Sequence, residues 1–524
     1  MALEKEILEF AEKKNLLIHK KALELLVKKD NWKQIIFELE KKNNFMITES
    51  LIQKELEKER VKVLEEIKNE HESIDTPKAM PHTDLMNTEI QPEAVIQEQV
   101  FRPIAEETQS NYNILSDLDI TGKSDSQGKV EDFQRMFTDK FDVLSKLLKQ
   151  KQFIHARPIK EIKKITPKTE IDLIGMVAKK WITKKGDLAI TIEDTEGEVI
   201  VLINDWEKEL KEEANKLMLD DVIAFKTVKW SDDLVIGKKL FWPDLKVKPL
   251  KTVDTEVSVA CTSDIHIGSK LFLEKEFEKL INFLCCKEGD MKEKNTAGRI
   301  KYLFLLGDNV DGIGVYPKQE KDLDIKDLYE QYRELEKYLL RIPEYIEIFM
   351  IPGQHDATRN LDPRPAVQSK YMPELSKMKN FHSLGSPSVV EVEGLNTLLF
   401  HGNTMHSLFE NIHGLNGLKP SKAAVEMLKR RDLMTTFGLN QSMAPEKKNL
   451  MLVRKETDLV FFGDIHRFDY IEYRGTTIIN NSTWQARTDY QIKKGHIPTP
   501  GMLAMIDLNN RKLKTKNFYE SDAK

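Results

Sequence analysis

Between Val257 and His466 one arrangement recurs five times: a short uninterrupted apolar run halts abruptly at a cluster of Asp, His, Asn or Gln. VSVACTSDIH ends on Asp264 and His266, YLFLLGDNVDG on Asp308, Asn309 and Asp311, and IEIFMIPGQHD on Gln354, His355 and Asp356. TLLFHGNTMH follows with His401 and His406, and DLVFFGDIH with Asp464 and His466. Apolar runs of this length read as strands buried on both faces, and helical candidates at 327–341 and 421–431 lie between them. The pattern specifies an α/β sheet with its polar clusters at the carboxyl ends of the strands, where such sheets build sites.

A lone His or Asp at a strand end usually caps the strand or satisfies the core. Five such clusters together point instead to a metal centre. If the backbone is extended, D-x-H spacing places Asp264 and His266 on the same side, where both can meet one cation. Two hard divalent cations need a bridging carboxylate among mixed imidazole and oxygen ligands, and Asp308 in its G-D turn is the natural bridge. Gly307, Gly353, Gly402 and Gly463 would let the backbone turn tightly beside the metals.

The rest of the chain divides by pattern. Its 524 residues exceed one hydrophobic core, since domains usually run ~100–200 residues. Residues 1–67 carry apolar side chains at helical spacing and read as a small all-α bundle. Residues 68–129 are rich in Pro, Ser, Thr, Asn, Gln and acids, a mixture that reads as a flexible linker. A helix and a basic connector occupy 130–168, with Lys146, Lys149, Lys151, Arg157, Lys160, Lys163, Lys164 and Lys168 opposed only by Glu161. That run reads as a solvated connector or as a strip tracking phosphates. Over 169–248 the period changes to five strands with Gly-containing turns, which suggests a small OB-type barrel. Trp181 with Lys179, Lys180, Lys184 and Lys185 could form a nucleic-acid face, or Trp181 could simply close a barrel end. The α/β domain takes up 249–524.

The net charge of −5 sets 81 basic against 86 acidic residues, so any nucleic-acid contact must come from local patches. Three cysteines, Cys261, Cys285 and Cys286, form no C-x-x-C pair and fit a reducing compartment. The first residues lack the apolar core of a signal peptide, and no later stretch approaches ~18 apolar residues. A soluble cytoplasmic protein with no membrane partner is expected.

The order D-x-H, G-D, G-x-H-D, H-G, G-x-x-H from about residue 253 onward resembles the calcineurin-like metallophosphoesterases. Longer strings, LGDNVDGIGVYP, MIPGQHDATR, LKPSKAAVEMLKRR, YRGTTIINNSTWQARTDYQ and HIPTPG, resemble the small-subunit family of archaeal family D DNA polymerases. VEDFQRMFTDKF and the strand-rich segment after it resemble the same family's helix and OB region. The resemblance implies a metallophosphoesterase domain built as a β-sandwich flanked by helices. It implies two divalent cations, Mn²⁺ or Mg²⁺, one held by Asp264, His266, Asp308 and His466. The second falls on Asp308, Gln354, His401 and Asp464, where Gln354 replaces the family's Asn and Asp464 its His. The first shell then carries three formal negative charges, which favour a hard cation but make the attacking hydroxide weaker.

The implied activity is 3′→5′ exonuclease trimming of single-stranded DNA ends, with His355 assisting the leaving oxygen and Asp356 orienting its ring. The implied partners are a large catalytic polymerase subunit, DNA and, through the assembly, a sliding clamp, which would place the chain at the nucleoid. Arg359 and the basic helix with Lys429, Arg430 and Arg431 are candidate phosphate contacts. Two other readings compete with the nuclease: a scaffold subunit with a decayed site, and a protein or nucleotide phosphatase. The OB-type region and the VDGIGVYP string argue against the phosphatase.

Overall fold

The computed structural model describes residues 101–519 apart from 152, 154, 440 and 441, together with Ile7, Phe10, Leu17, Ile18, Leu23, Leu26, Trp32, Ile36, Met46 and Ile47. The chain divides into Met1–Glu98 and Gln99–Lys524. In the first unit Ile7, Leu26, Trp32 and Ile36 are helical and buried. Leu17–Ile18 pairs in parallel with Met46–Ile47, however, so the expected all-α bundle over 1–67 is not confirmed. The rest of that bundle, and the expected linker as far as residue 100, lie outside the described residues.

The linker reading fails from residue 101 onward. Strand β1 (Tyr112–Ile114) pairs antiparallel with Ser388–Val392 and forms the edge of a sheet. Its polar neighbours are consumed in hydrogen bonds: the Asp119 carboxylate accepts from the Gly385 and Thr121 N–H groups at 3.0 and 2.8 Å. Composition alone cannot separate polarity meant for solvent from polarity meant for a neighbouring backbone.

Helix α1 (Val130–Lys151) begins where the sequence places it and buries Met136, Leu144 and Leu148. The barrel follows with β2 (Glu170–Ile182), β3 (Leu188–Glu193), β4 (Glu198–Ile203), helix α2 (Lys208–Asn215), β5 (Val222–Ser231) and β6 (Leu234–Phe241). It closes in the order β2-β3-β4-β6-β5, with only β4 and β6 parallel. Val, Ile and Phe alternate inward, and Ile190, Ile192, Val201, Ile203 and Phe225 fill the core.

Two six-stranded sheets make the α/β domain. In chain order the elements are β7 (Ser258–Thr262), α3 (Glu274–Leu284), β8 (Ile300–Leu306), α4 (Leu328–Leu339), β9 (Glu347–Ile351), β10 (Phe381–Ser383), β11 (Ser388–Val392) and β12 (Leu395–Leu399). Then come α5 (Pro420–Arg430), β13 (Leu459–Phe462), β14 (Asp469–Tyr473), β15 (Thr476–Asn480), α6 (Asp489–Lys494), β16 (Met502–Asp507) and β17 (Leu513–Asn517). One sheet runs β10-β9-β8-β7-β16-β17, the other β14-β15-β13-β12-β11-β1.

Strands β7 to β9, β12 and β13 are buried along their whole length or nearly so because both faces are covered. Phe304 of one sheet and Phe461 of the other meet between the layers with centroids 5.5 Å apart. Outside the layers, α3 and α4 cover the first sheet and α5 the second. Each buried aromatic contributes roughly 1.5–3 kcal/mol relative to exposure, and this sandwich holds the strand tips in place. No helix among the described residues is long and apolar enough to cross a membrane.

The basic end of α5 docks the barrel rather than facing solvent, which corrects the expectation for Lys429, Arg430 and Arg431 as phosphate contacts. Arg430, 2% exposed, lies 3.1 Å from Asp221 Oδ1 and stacks on Trp242 at 4.6 Å. Arg431, 1% exposed, is paired with Glu456, and Lys429 with Glu213. Buried guanidinium groups need carboxylates to offset desolvation, and the fold supplies them from distant segments.

This junction predicts a pH dependence. Burial pushes the Glu213 carboxyl up, but Lys429, Trp242 and Lys216 outweigh it and hold it at about 2, below the ordinary 4.5. A depressed carboxyl stabilises the fold above its unfolded value and loses that contribution as pH falls through the folded one. Glu213→Gln is therefore expected to lower the melting temperature at neutral pH, with the gap to the parent narrowing between pH 4.5 and about 2. Thermal denaturation across that range checks it.

Candidate metal centre

The five strand tips converge. Asp264, His266, Asp308, Asp464 and His466 all hold left-handed backbone, with φ of +53°, +55°, +50°, +65° and +57°. Non-glycine residues there are strained and persist only where the surroundings over-determine them, which is common at sites of function. The D-x-H segment is thus not the extended strand that the spacing suggested. Asp264 and His266 still meet the same space, but through two left-handed residues just past the end of β7. At Gly353 the backbone passes so close that an added Cβ would stand 2.1 Å from Asp308 Oδ1 and 2.7 Å from His401 Cε1, so only glycine fits.

Asp308 sits at the middle. Its Oδ2 lies 3.3 Å from His401 Nε2, 3.9 Å from His355 Nε2 and 4.0 Å from His266 Nε2, while Oδ1 accepts from the His355 N–H at 2.9 Å. On one side His466 Nε2 is 3.3 Å from Asp264 Oδ1 and 3.2 Å from His266 Nε2. On the other, His401 Nε2 is 3.6 Å from Asp464 Oδ1. Three groups able to hold an ion result among the described residues: Asp264 with His266 and His466, Asp264 with Asp308 and His401, and His266 with Asp311 and His355.

The residues fit a divalent metal. His401 Nδ1 faces the Leu306 carbonyl at 2.7 Å, so a neutral ring donates there and turns its bare Nε2 towards two carboxylates. His401 Nε2 and Asp264 Oδ1 are buried without a hydrogen-bond partner. His266 Nδ1 meets Asp311 Oδ1 at 2.9 Å, the carboxylate support typical of a ligating histidine. A cation between the facing lone pairs would satisfy all of these atoms.

The electrostatics agree. Burial pushes the Asp308 carboxyl up, but the imidazoles of His401, His355 and His266 outweigh it and hold it well below the carboxylate range. Burial lowers the His401 imidazole, yet Asp308, Asp264 and Asp464 together raise it to about 10. The cavity is a concentrated negative site that takes up protons when nothing else neutralises it.

Gln354 and Asp464, the two departures from the family pattern, face each other: Gln354 Nε2 donates to Asp464 Oδ1 at 2.7 Å. His406 stands 3.1 Å from Asp464 Oδ2. Asp356 does not orient His355. It accepts from the Gly353 N–H at 2.9 Å, from Asn309 and from the Tyr332 hydroxyl at 2.9 Å, and so ties the loop down. The His355 ring is held by the Asp311 carbonyl, 2.7 Å from Nδ1. Arg359 is not free for phosphate, because its guanidinium binds Glu446 at 2.9 Å and the Pro363 carbonyl at 2.6 Å.

Trp181 is half-buried, with Lys179 Nζ 5.4 Å from its ring centroid, and Trp206 and Trp230 stand out from the barrel region at 72% and 64% exposure. Sequence reasoning missed Gln491, whose amide meets His466 Nδ1 at 2.8 Å from the capping box of α6. The T-x-x-Q spacing of that box was readable; its reach to His466 was not.

Fold and site together define a calcineurin-like phosphoesterase domain, and residues 257–468 match that family's model. The DNA polymerase II small subunit of Methanocaldococcus jannaschii is 37% identical over 417 residues, covering 79% of this chain and 70% of the relative. That of Archaeoglobus fulgidus is 34% identical over 388 residues (74% and 77%), and that of Pyrococcus horikoshii 34% over 393 (74% and 63%). The chain belongs to the family of archaeal DNA polymerase II small subunits.

Proposed function

We propose that this chain is the proofreading subunit of a replicative DNA polymerase, removing nucleotides from single-stranded 3′ ends beside a large catalytic subunit. The observation that carries the reading is Asp308, a buried carboxylate set among three imidazoles, in a cluster with three groups able to hold an ion. Asp264, His266, Asp308 and His466 would hold one cation, and Asp308, Gln354, His401 and Asp464 the other. Bound there, two divalent ions, Mn²⁺ or Mg²⁺, would supply the positive charge that offsets the phosphodiester in its transition state. His355, ring-anchored through Nδ1, presents Nε2 to the same space and protonates the leaving 3′ oxygen. The closed barrel, read as an OB fold, serves strand binding or docking of the large subunit.

One observation favours the scaffold reading instead. Both oxygens of Asp464 already have protein neighbours, Gln354 and His406, which weakens the second half-site. The deciding experiment incubates the chain, alone and with its large subunit, with 5′-labelled single-stranded DNA and Mn²⁺, beside Asp308→Ala. Stepwise shortening by the parent and none by the variant is expected; equal, negligible digestion by both leaves the scaffold.

A further inference from the structure

A cleft of about 720 Å³ opens between the connector after α1 and the β2, β5 and β6 face of the barrel. We propose that it binds the sugar–phosphate backbone of single-stranded DNA, an inference that rests on the reading of the chain as a DNA-processing subunit and places the strand on the barrel.

Arg157, Lys164, Lys226 and Lys239 line the cleft, are exposed, and form no ion pair among the described residues. Other lysines of the region do have partners: Lys163 lies 2.7 Å from Asp233, Lys211 2.5 Å from Asp205, and Lys238, also in the cleft wall, 3.7 Å from Glu207. Lys226 and Lys239 are directly opposite in the β5–β6 register. Like charges placed so oppose pairing of the strands, and an anion lying between them removes the cost. Asp172 stands across from Lys226 on β2, and Glu170 is the other acid of the lining.

The rest of the wall includes the exposed Thr166 and Thr169, so hydroxyl groups stand among the cations, as in surfaces that contact phosphate and sugar. Spaced cations with small polar groups suit the repeating charge of one strand. Lys164, Arg157 and the barrel lysines come from different segments, so the sequence shows only the connector half of the cluster.

The test uses the full chain in EDTA, so that hydrolysis is off, with a fluorescent oligothymidylate followed by anisotropy over a potassium chloride series. Two double variants are compared with the parent, Lys226→Glu with Lys239→Glu on the barrel and Arg157→Ala with Lys164→Ala on the connector. Each is expected to weaken binding about tenfold or more and to flatten the salt slope by about 0.7 per lost phosphate contact. Circular dichroism checks folding; if the barrel pair unfolds, the connector pair, off the strands, decides. Unchanged affinity and slope, or displacement of the oligomer by polyglutamate more readily than by unlabelled oligothymidylate, overturns the proposal.

Hydrolysis of bis(p-nitrophenyl) phosphate, a diester too small to need the cleft, separates this from the nuclease reading. If cleft variants lose DNA binding and the parent hydrolyses no diester, only the nuclease reading falls. If diester hydrolysis is intact and cleft variants bind as the parent does, only the cleft falls.

Discussion

His355→Ala is expected to slow hydrolysis of DNA ends ~10²–10⁴-fold while cation binding stays near that of the parent. In the proposed mechanism the ring transfers a proton: its Nδ1 is engaged by the Asp311 carbonyl at 2.7 Å, and its Nε2 is 3.9 Å from Asp308 Oδ2. Its backbone N–H donates to Asp308 Oδ1 at 2.9 Å, a contact that alanine keeps. The loss should appear in kcat. It should also depend on the leaving group, because p-nitrophenolate departs without a proton whereas a deoxyribose 3′ oxygen needs one. A variant that loses activity equally on the nitrophenyl diester and on DNA would show that His355 holds the site together and carries no proton. Asp356→Ala should behave differently, since it orphans the Gly353 and Asn309 donors and the Tyr332 hydroxyl, and its effect belongs to stability.

Lys140→Ala is expected to cost about 3–5 kcal/mol of folding stability, the cost of breaking a buried ion pair by removing one partner. Lys140 on α1 reaches Asp432 Oδ2 at 2.7 Å, with the two side chains 3% and 2% exposed, and Nζ also donates to the Thr435 carbonyl at 3.2 Å. Burial pushes the Asp432 carboxyl up against the pull of Lys140, so removing the lysine leaves a carboxylate with neither water nor a counter-charge beside it. Urea denaturation measures the loss. Removing both charges, Lys140→Met with Asp432→Leu, should recover most of it. A single-variant loss below about 1 kcal/mol, the worth of an exposed pair, would mean that water reaches the site.

The core of the centre was readable because each strand tip is written in contiguous residues. An apolar run followed by Asp, His or Gly fixes both where a strand stops and which groups stand at its end, so Asp264, His266, Asp308, His401 and His466 could be named together. The geometry behind the naming differed, since a left-handed turn carries Asp264 and His266 where an extended strand was expected. The barrel strands were equally legible from their period of two.

Only the tertiary structure could decide which polar residues were already used. Arg430 of α5 finds Asp221, 209 positions away; Lys140 finds Asp432; Asp119 in the supposed linker finds Gly385, 266 positions away. A sequence states that a side chain is charged and so what it costs to bury, but the partner that offsets that cost comes from wherever the chain folds back. The sequence by itself determined the strands and the polar groups at their tips; the fold decided that α5 grips the barrel, that residues 112–114 finish a sheet, and that Asp356 anchors a loop. Periodicity is a property of neighbours along the chain, whereas charge pairing is a property of neighbours in space.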